Sequence, residues 1–196
     1  MEKAYELEFT GEKSGSLYVN CCGLSRTEPL HSFGPAFKPH FVIHYVIGGK
    51  GKLAIGGKEY PLKQGYGFLI PPEELAFYQA DETDPWTYVW VGFSGQRATE
   101  IVQSTGLSLT NPVFKTDRGE EFYEAVKDML EHKTFSVANE LRRNGQLYLF
   151  LSLIAESAHI EEKGETDKGD AYVKRAVEFI VGNYCNPIKI TDVADY

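Results

Sequence analysis

The stretch GYGFLIPPEELAFYQADETDPWTYVWVGFSG, residues 65–95, contains three short apolar runs separated by a Pro-Pro turn and by the acidic loop Asp81–Asp84. In the last run Trp86, Tyr88 and Trp90 occupy every second position, and a β-strand directs such side chains to one face. The other face is also apolar, since its residues are Thr87, Val89, Val91 and Phe93. The pattern therefore leaves open whether the aromatic face is packed core or the wall of a binding cavity.

The rest of the first half of the chain also has the pattern of strands. Apolar and β-branched runs recur with turn signals between them, at 16–22, 40–47, 52–55, 58–62, 67–70, 76–80 and 86–93. Gly56-Gly57 joins two of these runs, and a two-residue hairpin favours Gly-Gly because its turn needs positive φ at both positions. Short strands at intervals of roughly 8–12 residues predict an antiparallel sandwich or barrel.

After Phe93 the apolar period lengthens to three or four residues, which predicts helices. Ser94 is the expected N-cap of a first helix, and Ser136 is the expected N-cap of a long third helix. The long helix carries an apolar stripe, which could pack on its own strands or on a second copy, at Leu141, Tyr148, Leu151 and Ile154. Glu161–Gly169 has no apolar side chain and is expected to be a linker before a further amphipathic helix.

Composition places the chain among globular proteins, with 196 residues of which 42% are hydrophobic and 24% charged. No run approaches the ~20 apolar residues that span a bilayer. The charged N-terminus has no hydrophobic signal region, so we expect no membrane partner and a cytoplasmic location. The three cysteines, two of them adjacent, do not suggest a disulfide framework. The net charge of −8 disfavours general binding to nucleic acid.

The strands offer few residues for catalysis. His40 and His44 lie four apart, which on a strand separates them by ~13 Å, whereas two ligands of one ion must each lie ~2 Å from it. Gly65 and Pro71 resemble the start of the second cupin motif, but Ala76 stands near the place of its metal histidine, and no His-x-His occurs. The nucleophile, zinc-protease, phosphate-loop and dinucleotide motifs do not occur either. We therefore expect no catalytic residue, no metal and no cofactor.

The remaining chemistry is the binding of a small molecule among the strands. Aromatic rings bind the apolar C–H faces of sugar rings, while tyrosine, tryptophan and histidine side chains supply hydrogen bonds. Side chains of these types stand at His44, Tyr78, Tyr88 and Trp90. From the residues alone, a ligand pocket and a packed core remain equally good interpretations.

Residues 43–95 resemble the effector-binding domain of AraC-type transcriptional regulators. The resemblance is carried by a strand followed by G-x-G, the hairpin G-K-x-Y-x-L-x-x-G, F-L-I-P-P, the tyrosine before the acidic loop, and P-W-x-Y-x-W-x-x-F-S-G. Independently, AYVKRAVEFIVGNYCNPIKITDVADY, residues 171–196, resembles the start of that family's DNA-binding domain. Together the two resemblances cover about 39–196 and leave 1–38 unplaced.

The resemblance implies an α+β fold, in which an antiparallel cupin-like jelly-roll β-barrel is followed by an α-helical hairpin and the start of a helix-turn-helix domain. It implies a barrel with an N-terminal arm (1–94), a helical dimerisation region (95–162), a linker (163–170) and the first part of a DNA-binding domain (171–196). The family's sugar-contacting positions fall on Tyr78, Tyr88 and Trp90, to which we add His44 from its place in mid-strand. A basic residue that contacts sugar in the best-known member has no counterpart near Gly34, so the same ligand is not implied.

We therefore expect the sensor and dimerisation part of a DNA-binding regulator that is not an enzyme. Its partners would be a small-molecule effector, a saccharide above all, and a second copy in a homodimer, and it would control metabolic genes. DNA would be bound only by a full-length protein through further C-terminal sequence, because 171–196 has balanced charge and lacks a recognition helix. The alternative is a metal-dependent cupin enzyme acting on a sugar or a small metabolite.

Overall fold

A computed structural model of the chain describes residues 3–9, 15–161, 168–183 and 185–194. The contacts divide the chain into two units, 1–158 and 159–196, and each is described by itself. In the described part of the first unit the strands are β1 (Lys3–Glu8), β2 (Tyr18–Arg26), β3 (Ser32–Ala36), β4 (Phe41–Gly48), β5 (Lys50–Ile55), β6 (Lys58–Lys63), β7 (Tyr66–Ile70), β8 (Ala76–Ala80), β9 (Thr87–Ser94) and β10 (Val113–Lys115).

These strands form two sheets in which neighbouring strands run antiparallel. One sheet has the order β1-β2-β9-β4-β7-β10 and the other the order β3-β8-β5-β6. The inward side chains of both sheets meet in one buried cluster, so the sheets face each other as a sandwich. With the helices that follow, this arrangement confirms the predicted α+β class.

The strands that sequence patterning did not predict are all edge strands. β1 and β10 border the first sheet, and β3 borders the second. β3 contains Gly34-Pro35. Proline is tolerated in an edge strand because the N–H that it lacks would point to solvent and would not bond to another strand. β10 has three residues, too few to show a period. Edge strands bury less, and so they carry a weaker hydrophobic signal.

Helices cover the outer face of the six-stranded sheet. α1 (Ala98–Ser104), α2 (Gly119–Glu131) and α3 (Val137–Glu161) supply side chains to a second buried cluster on that face. Phe122 of α2 joins the layers, because its ring lies 4.4 Å from that of Tyr45 on β4 and 4.7 Å from that of Phe150 on α3, centroid to centroid. In the described part of the chain, no helix combines the length and the apolar character needed to cross a membrane.

The two expected N-caps have different outcomes. Ser136 caps α3 as predicted, since its Oγ accepts a hydrogen bond from Asn139 N at 3.2 Å. The prediction for Ser94 is wrong, because Ser94 is the last residue of β9 and α1 begins only at Ala98. Pairing of Ser94 with Tyr18 extends the strand and delays the helix.

The apolar stripe expected on α3 is divided between two environments. Leu151 and Ile154 are buried in the outer cluster, against the sheet. Leu141 and Tyr148 are 67% and 45% exposed. The helix therefore packs on its own sheet with one side and keeps apolar surface on another.

The second unit contains α4 (Lys168–Asn183) and α5 (Ile190–Ala194), which contact each other. α4 begins three residues earlier than the helix expected from Ala171, and most of the expected linker 163–170 lies outside the described residues. Next to the start of α5, the Asp192 carboxylate accepts a hydrogen bond from Lys189 N at 2.8 Å.

The three cysteines are free thiols in contrasting places. Cys21 and Cys22 lie buried on β2, whereas Cys185 in the second unit is exposed. Burial raises the pKa of Cys21 to about 11 and that of Cys22 to about 12. The adjacent pair is therefore protonated and unreactive at neutral pH.

Replacing Phe122, which is fully buried, by alanine should lower the free energy of unfolding by about 3–5 kcal/mol, the usual cost of removing a buried aromatic ring. Phe135 is 75% exposed, and the same substitution there should stay within about 0.5 kcal/mol of wild type. Urea denaturation followed by circular dichroism measures both. Equal losses in the two variants would contradict the role given to Phe122.

Candidate functional site

The interior of the sandwich is lined by the aromatic face of β9. Tyr88, Trp90 and the preceding Trp86 belong to the cluster between the sheets, whereas Val89, Val91 and Phe93 belong to the outer cluster under the helices. The sequence left open which face of this strand lines the interior. In the structure it is the face with two tryptophans and a tyrosine.

The four residues predicted as ligand contacts come together in this interior. The His44 ring centroid lies 5.1 Å from that of Tyr78, 5.3 Å from that of Tyr88 and 6.2 Å from that of Trp90. Tyr78 stands on β8 of the four-stranded sheet, while the other three stand on β4 and β9 of the six-stranded sheet. The cluster therefore bridges the two sheets.

Both tryptophans occupy space that glycines provide. Gly23 pairs with Trp90 across β2 and β9, and a Cβ at Gly23 would lie 2.1 Å from Cζ2 of the indole. A Cβ at Gly51 on β5 would lie 2.5 Å from the ring of Trp86. Only glycine at these two positions permits the indoles to lie against the strands, so the glycines fix where the rings sit.

Three buried polar atoms in or beside this cluster have no hydrogen-bond partner among the described residues. They are Ser25 Oγ, His44 Nδ1 and Trp86 Nε1. Tyr88 is adjacent to all three, because it pairs with Ser25 across the sheet and its ring lies within 6 Å of the other two rings, at 5.3 and 5.7 Å. Buried polar atoms are normally hydrogen-bonded to protein, water or ligand. The interior is thus apolar in area but contains unused hydrogen-bonding capacity.

The described residues of the interior carry no formal charge at neutral pH. Burial, with a smaller effect from the charge of Lys38, lowers the pKa of His44 from 6.5 to about 3, so its imidazole is neutral. Burial raises the pKa of Tyr78, and the electrostatic interaction and hydrogen bond with Tyr88 raise it further. Lys38 lies outside the buried cluster, with Nζ 4.4 Å from the centroid of the Phe33 ring. Among the described residues, the cluster contains no carboxylate, ammonium or guanidinium group.

The described residues do not bring three or more histidine, cysteine, aspartate or glutamate side chains together as a metal site. His44 packs against Phe68, with 4.5 Å between ring centroids, while His40 Nε2 contacts Cys21 Sγ at 3.5 Å. Ala76, which stands near the place of a cupin metal histidine, is buried in the interior. The histidines therefore take part in packing and polar contacts with different neighbours.

The sequence pattern of a known family extends over most of the first unit. Residues 18–159 match the AraC-like ligand binding domain. The chain belongs to this family. The match runs from β2 to α3 and confirms the resemblance of residues 43–95 to the effector-binding domain, including a cupin-like sandwich followed by helices. It does not reach residues 171–196. The family consists of transcriptional regulators, which are typically not enzymes.

Three relatives are named as regulators of operons, and two of those operons are named for the sugars raffinose and lactose. The Msm operon regulatory protein of Streptococcus mutans is 31% identical over 91% of this chain and 65% of its own length. The raffinose operon regulatory protein RafR of Pediococcus pentosaceus is 28% identical, over 83% and 60%. The lactose operon transcription activator of Staphylococcus xylosus is 22% identical, over 88% and 63%. This chain therefore spans less than two thirds of the length of each of them.

Several residues of the interior were not among the predicted contacts. Trp86 shares the face of Trp90, and period two alone could have placed it there. Phe68 stacks on His44, and Ser25 faces the same space from β2. The signal for Ser25 was the alternation Cys21, Gly23, Ser25, in which the small residues face the large rings of β9.

The buried His44 predicts a specific pH dependence of stability. Below pH 6.5 the histidine of the unfolded chain binds a proton, whereas the folded form, with a pKa of about 3, does not. Stability should therefore fall as the pH drops from 6.5 toward 3, by up to about 1.4 kcal/mol per pH unit from this residue. In His44→Phe, which keeps a ring against Phe68, this contribution should be missing. Denaturant titrations of both proteins between pH 7 and pH 4 test the difference, and parallel curves would contradict it.

Proposed function

We propose that this chain is the sensor and dimerisation part of a transcriptional regulator, and that its effector is a saccharide bound between the two sheets. The observation that carries the proposal is the group of unpartnered buried atoms around Tyr88: Ser25 Oγ, His44 Nδ1 and Trp86 Nε1. A buried polar group without a hydrogen bond costs roughly 1–3 kcal/mol. Hydroxyl groups of a sugar could satisfy these atoms, so binding would remove a cost that a purely structural core retains.

The aromatic residues would supply the apolar part of the same site. Tyr78, Tyr88 and Trp90 offer ring surfaces suited to the C–H faces of a sugar, and neutral His44 offers one N–H donor and one nitrogen acceptor. The names of the relatives support this choice, since two of them refer to raffinose and lactose operons. The effector need not be either of those sugars, because identity to these relatives is low.

The other parts of the proposal follow the expected division of the chain. The sandwich with its N-terminal arm, 1–94, would sense the effector, and the helical region 95–162 would dimerise. Residues 171–196, beyond the linker 163–170, would be the first part of a DNA-binding domain. DNA binding would then belong to a longer protein, and effector binding would act on transcription by favouring one of two arrangements of the dimer.

Trp90→Ala should abolish binding of the sugar that the wild-type protein binds. We would screen raffinose, lactose, galactose, glucose and fructose by isothermal titration calorimetry and expect an affinity loss of about 100-fold or more, as for a buried aromatic anchor. Phe114→Ala is the matched control, because Phe114 is also 9% exposed, like Trp90, but belongs to the outer cluster.

Retained sugar binding by Trp90→Ala would contradict the assignment of the interior as the site. Equal loss in Phe114→Ala would show that the effect of either substitution comes from lost stability. Stoichiometric zinc, iron or manganese in the purified protein would favour a metal-dependent cupin enzyme instead.

The exposed apolar residues of α3 support the proposed dimer. Leu141, Tyr148 and Leu149 stand exposed on the helix, and Gly145 between them would let a second backbone approach closely. Surfaces of this kind on a helix are commonly covered by a partner. The same helix in a second copy, related by a two-fold axis, would bring the two stripes together.

Leu141→Asp should weaken association at least tenfold in sedimentation velocity, because it places a carboxylate in the apolar contact. Leu75→Asp is the control, since Leu75 is 50% exposed in the turn between β7 and β8. Wild-type protein that sediments as a monomer at tens of micromolar would exclude the dimer. Unchanged association of Leu141→Asp would exclude this face.

A further inference from the structure

We propose that strand β2 mechanically couples the interior of the sandwich to helix α3, so that a change at Trp90 is transmitted to the helix that carries the proposed dimer face. The biological meaning of this coupling rests on the proposed function. The coupling itself concerns contacts within the first unit and can be measured without any effector. It makes Gly23 and Asn144 positioning residues, which act through other groups.

The first contact of the coupling is the packing of the Trp90 indole against Gly23. The indole fills the space where a Cβ would stand, at 2.1 Å from that position. The ring therefore cannot move toward β2 unless the strand moves too. Protein interiors are close-packed, and a displacement at such a contact is passed on.

The second contact lies four residues earlier on the same strand. The register with β9 shifts between Val19 and Cys21, so β2 has a bulge at Asn20. Next to the bulge, Val19 N donates a hydrogen bond to Asn144 Oδ1 of α3 at 3.1 Å. At the bulge itself, Asn20 O accepts a hydrogen bond from Phe9 N at 2.8 Å, and Phe9 directly follows β1. The bulge is thus the point at which β2 is attached to the helix and to the end of the N-terminal strand.

A buried arginine strengthens the same junction. Arg143 is 5% exposed, and its guanidinium carbon lies 4.2 Å from the centroid of the Phe9 ring. Its Nη1 donates hydrogen bonds to the carbonyl oxygens of His132 and Thr134, at 2.6 and 3.3 Å. The loop between α2 and α3, the start of α3 and the end of β1 are therefore held together by one side chain.

The junction lies at the same level along α3 as the proposed dimer face, on the side of the helix that is turned toward the strands. Arg143 and Asn144 stand between Leu141 and Tyr148 on α3. Tyr148 also approaches β2, since its hydroxyl lies 3.5 Å from Ser16 Oγ just before the strand. A shift of the bulged end of β2 would therefore displace the part of α3 that meets a second copy.

Gly23→Ala tests the transmission outward. The added methyl group must displace the indole of Trp90 or the strand, and we expect amide hydrogen exchange in residues 137–150 of α3 to rise about tenfold. Gly51→Ala is the control on the opposite sheet, because its methyl group would meet the other interior indole, Trp86, and the backbone oxygen of Gln79, each at 2.5 Å. Exchange in α3 that is equal in the two variants, or unchanged from wild type in Gly23→Ala, would overturn the proposal.

Asn144→Ala tests the transmission inward, because a coupling free energy is reciprocal. In a Trp86→Phe background Trp90 is the remaining tryptophan of the two. Its emission maximum and acrylamide quenching then report on how the indole packs against Gly23. We expect both to change in Asn144→Ala. They should not change in Ser152→Ala, which removes an exposed side-chain hydrogen bond to Leu149 O from the same helix. Identical spectra for the two variants would overturn the coupling.

This second measurement does not depend on Gly23→Ala folding. If no sugar binds but α3 and Trp90 respond as described, the coupling stands and the effector assignment fails. If sugar binds and neither response occurs, the effector assignment stands and the coupling fails.

Discussion

Strand β9 has no side exposed to solvent, and this double burial is the constraint on which the other elements depend. Its aromatic face requires a second sheet to cover it, and its aliphatic face requires a layer of helices. Each fully buried large side chain contributes roughly 1.5–3 kcal/mol relative to exposure. A strand of eight residues with both faces filled therefore fixes a three-layer order, in which sheet, sheet and helices must be stacked.

The interior combines two properties that usually exclude each other. Its rings pack closely enough that glycines must make room for both indoles, yet polar atoms within it have no partners among the described residues. A core selected for stability alone would satisfy or remove those atoms, since apolar replacements of similar shape cost little. Retaining them has a physical rationale if the cluster must exchange hydrogen bonds with something that enters and leaves. The neutral state of His44 fits the same view, because a neutral imidazole can both donate and accept.

Sequence patterning was sufficient for the elements that are buried and long. The central strands were recognisable because alternation and β-branched residues accompany burial on one or both faces. The edge strands β1, β3 and β10 were missed, since exposure weakens the pattern and a proline in β3 argues against a strand. The family resemblance pointed to Tyr78, Tyr88 and Trp90, and a place in mid-strand pointed to His44. Neither face of β9 could be assigned to the interior from its residues alone. That choice depends on Gly23 and Gly51, which stand on other strands and become informative only when the pairing is known.

The division of the α3 stripe was equally hidden, because periodicity shows that a face is apolar and not what covers it.

The contrast among the cysteines has a practical consequence for studying the proposed homodimer. Thiol reagents attack the thiolate, and burial with a raised pKa protects Cys21 and Cys22, whereas Cys185 is exposed in the second unit. A maleimide dye or nitroxide spin label will therefore attach at a single position per chain without any cysteine being mutated. In a two-fold assembly, the distance between the two labels would report the separation of the two C-terminal units. The aromatic interior would remain unlabelled.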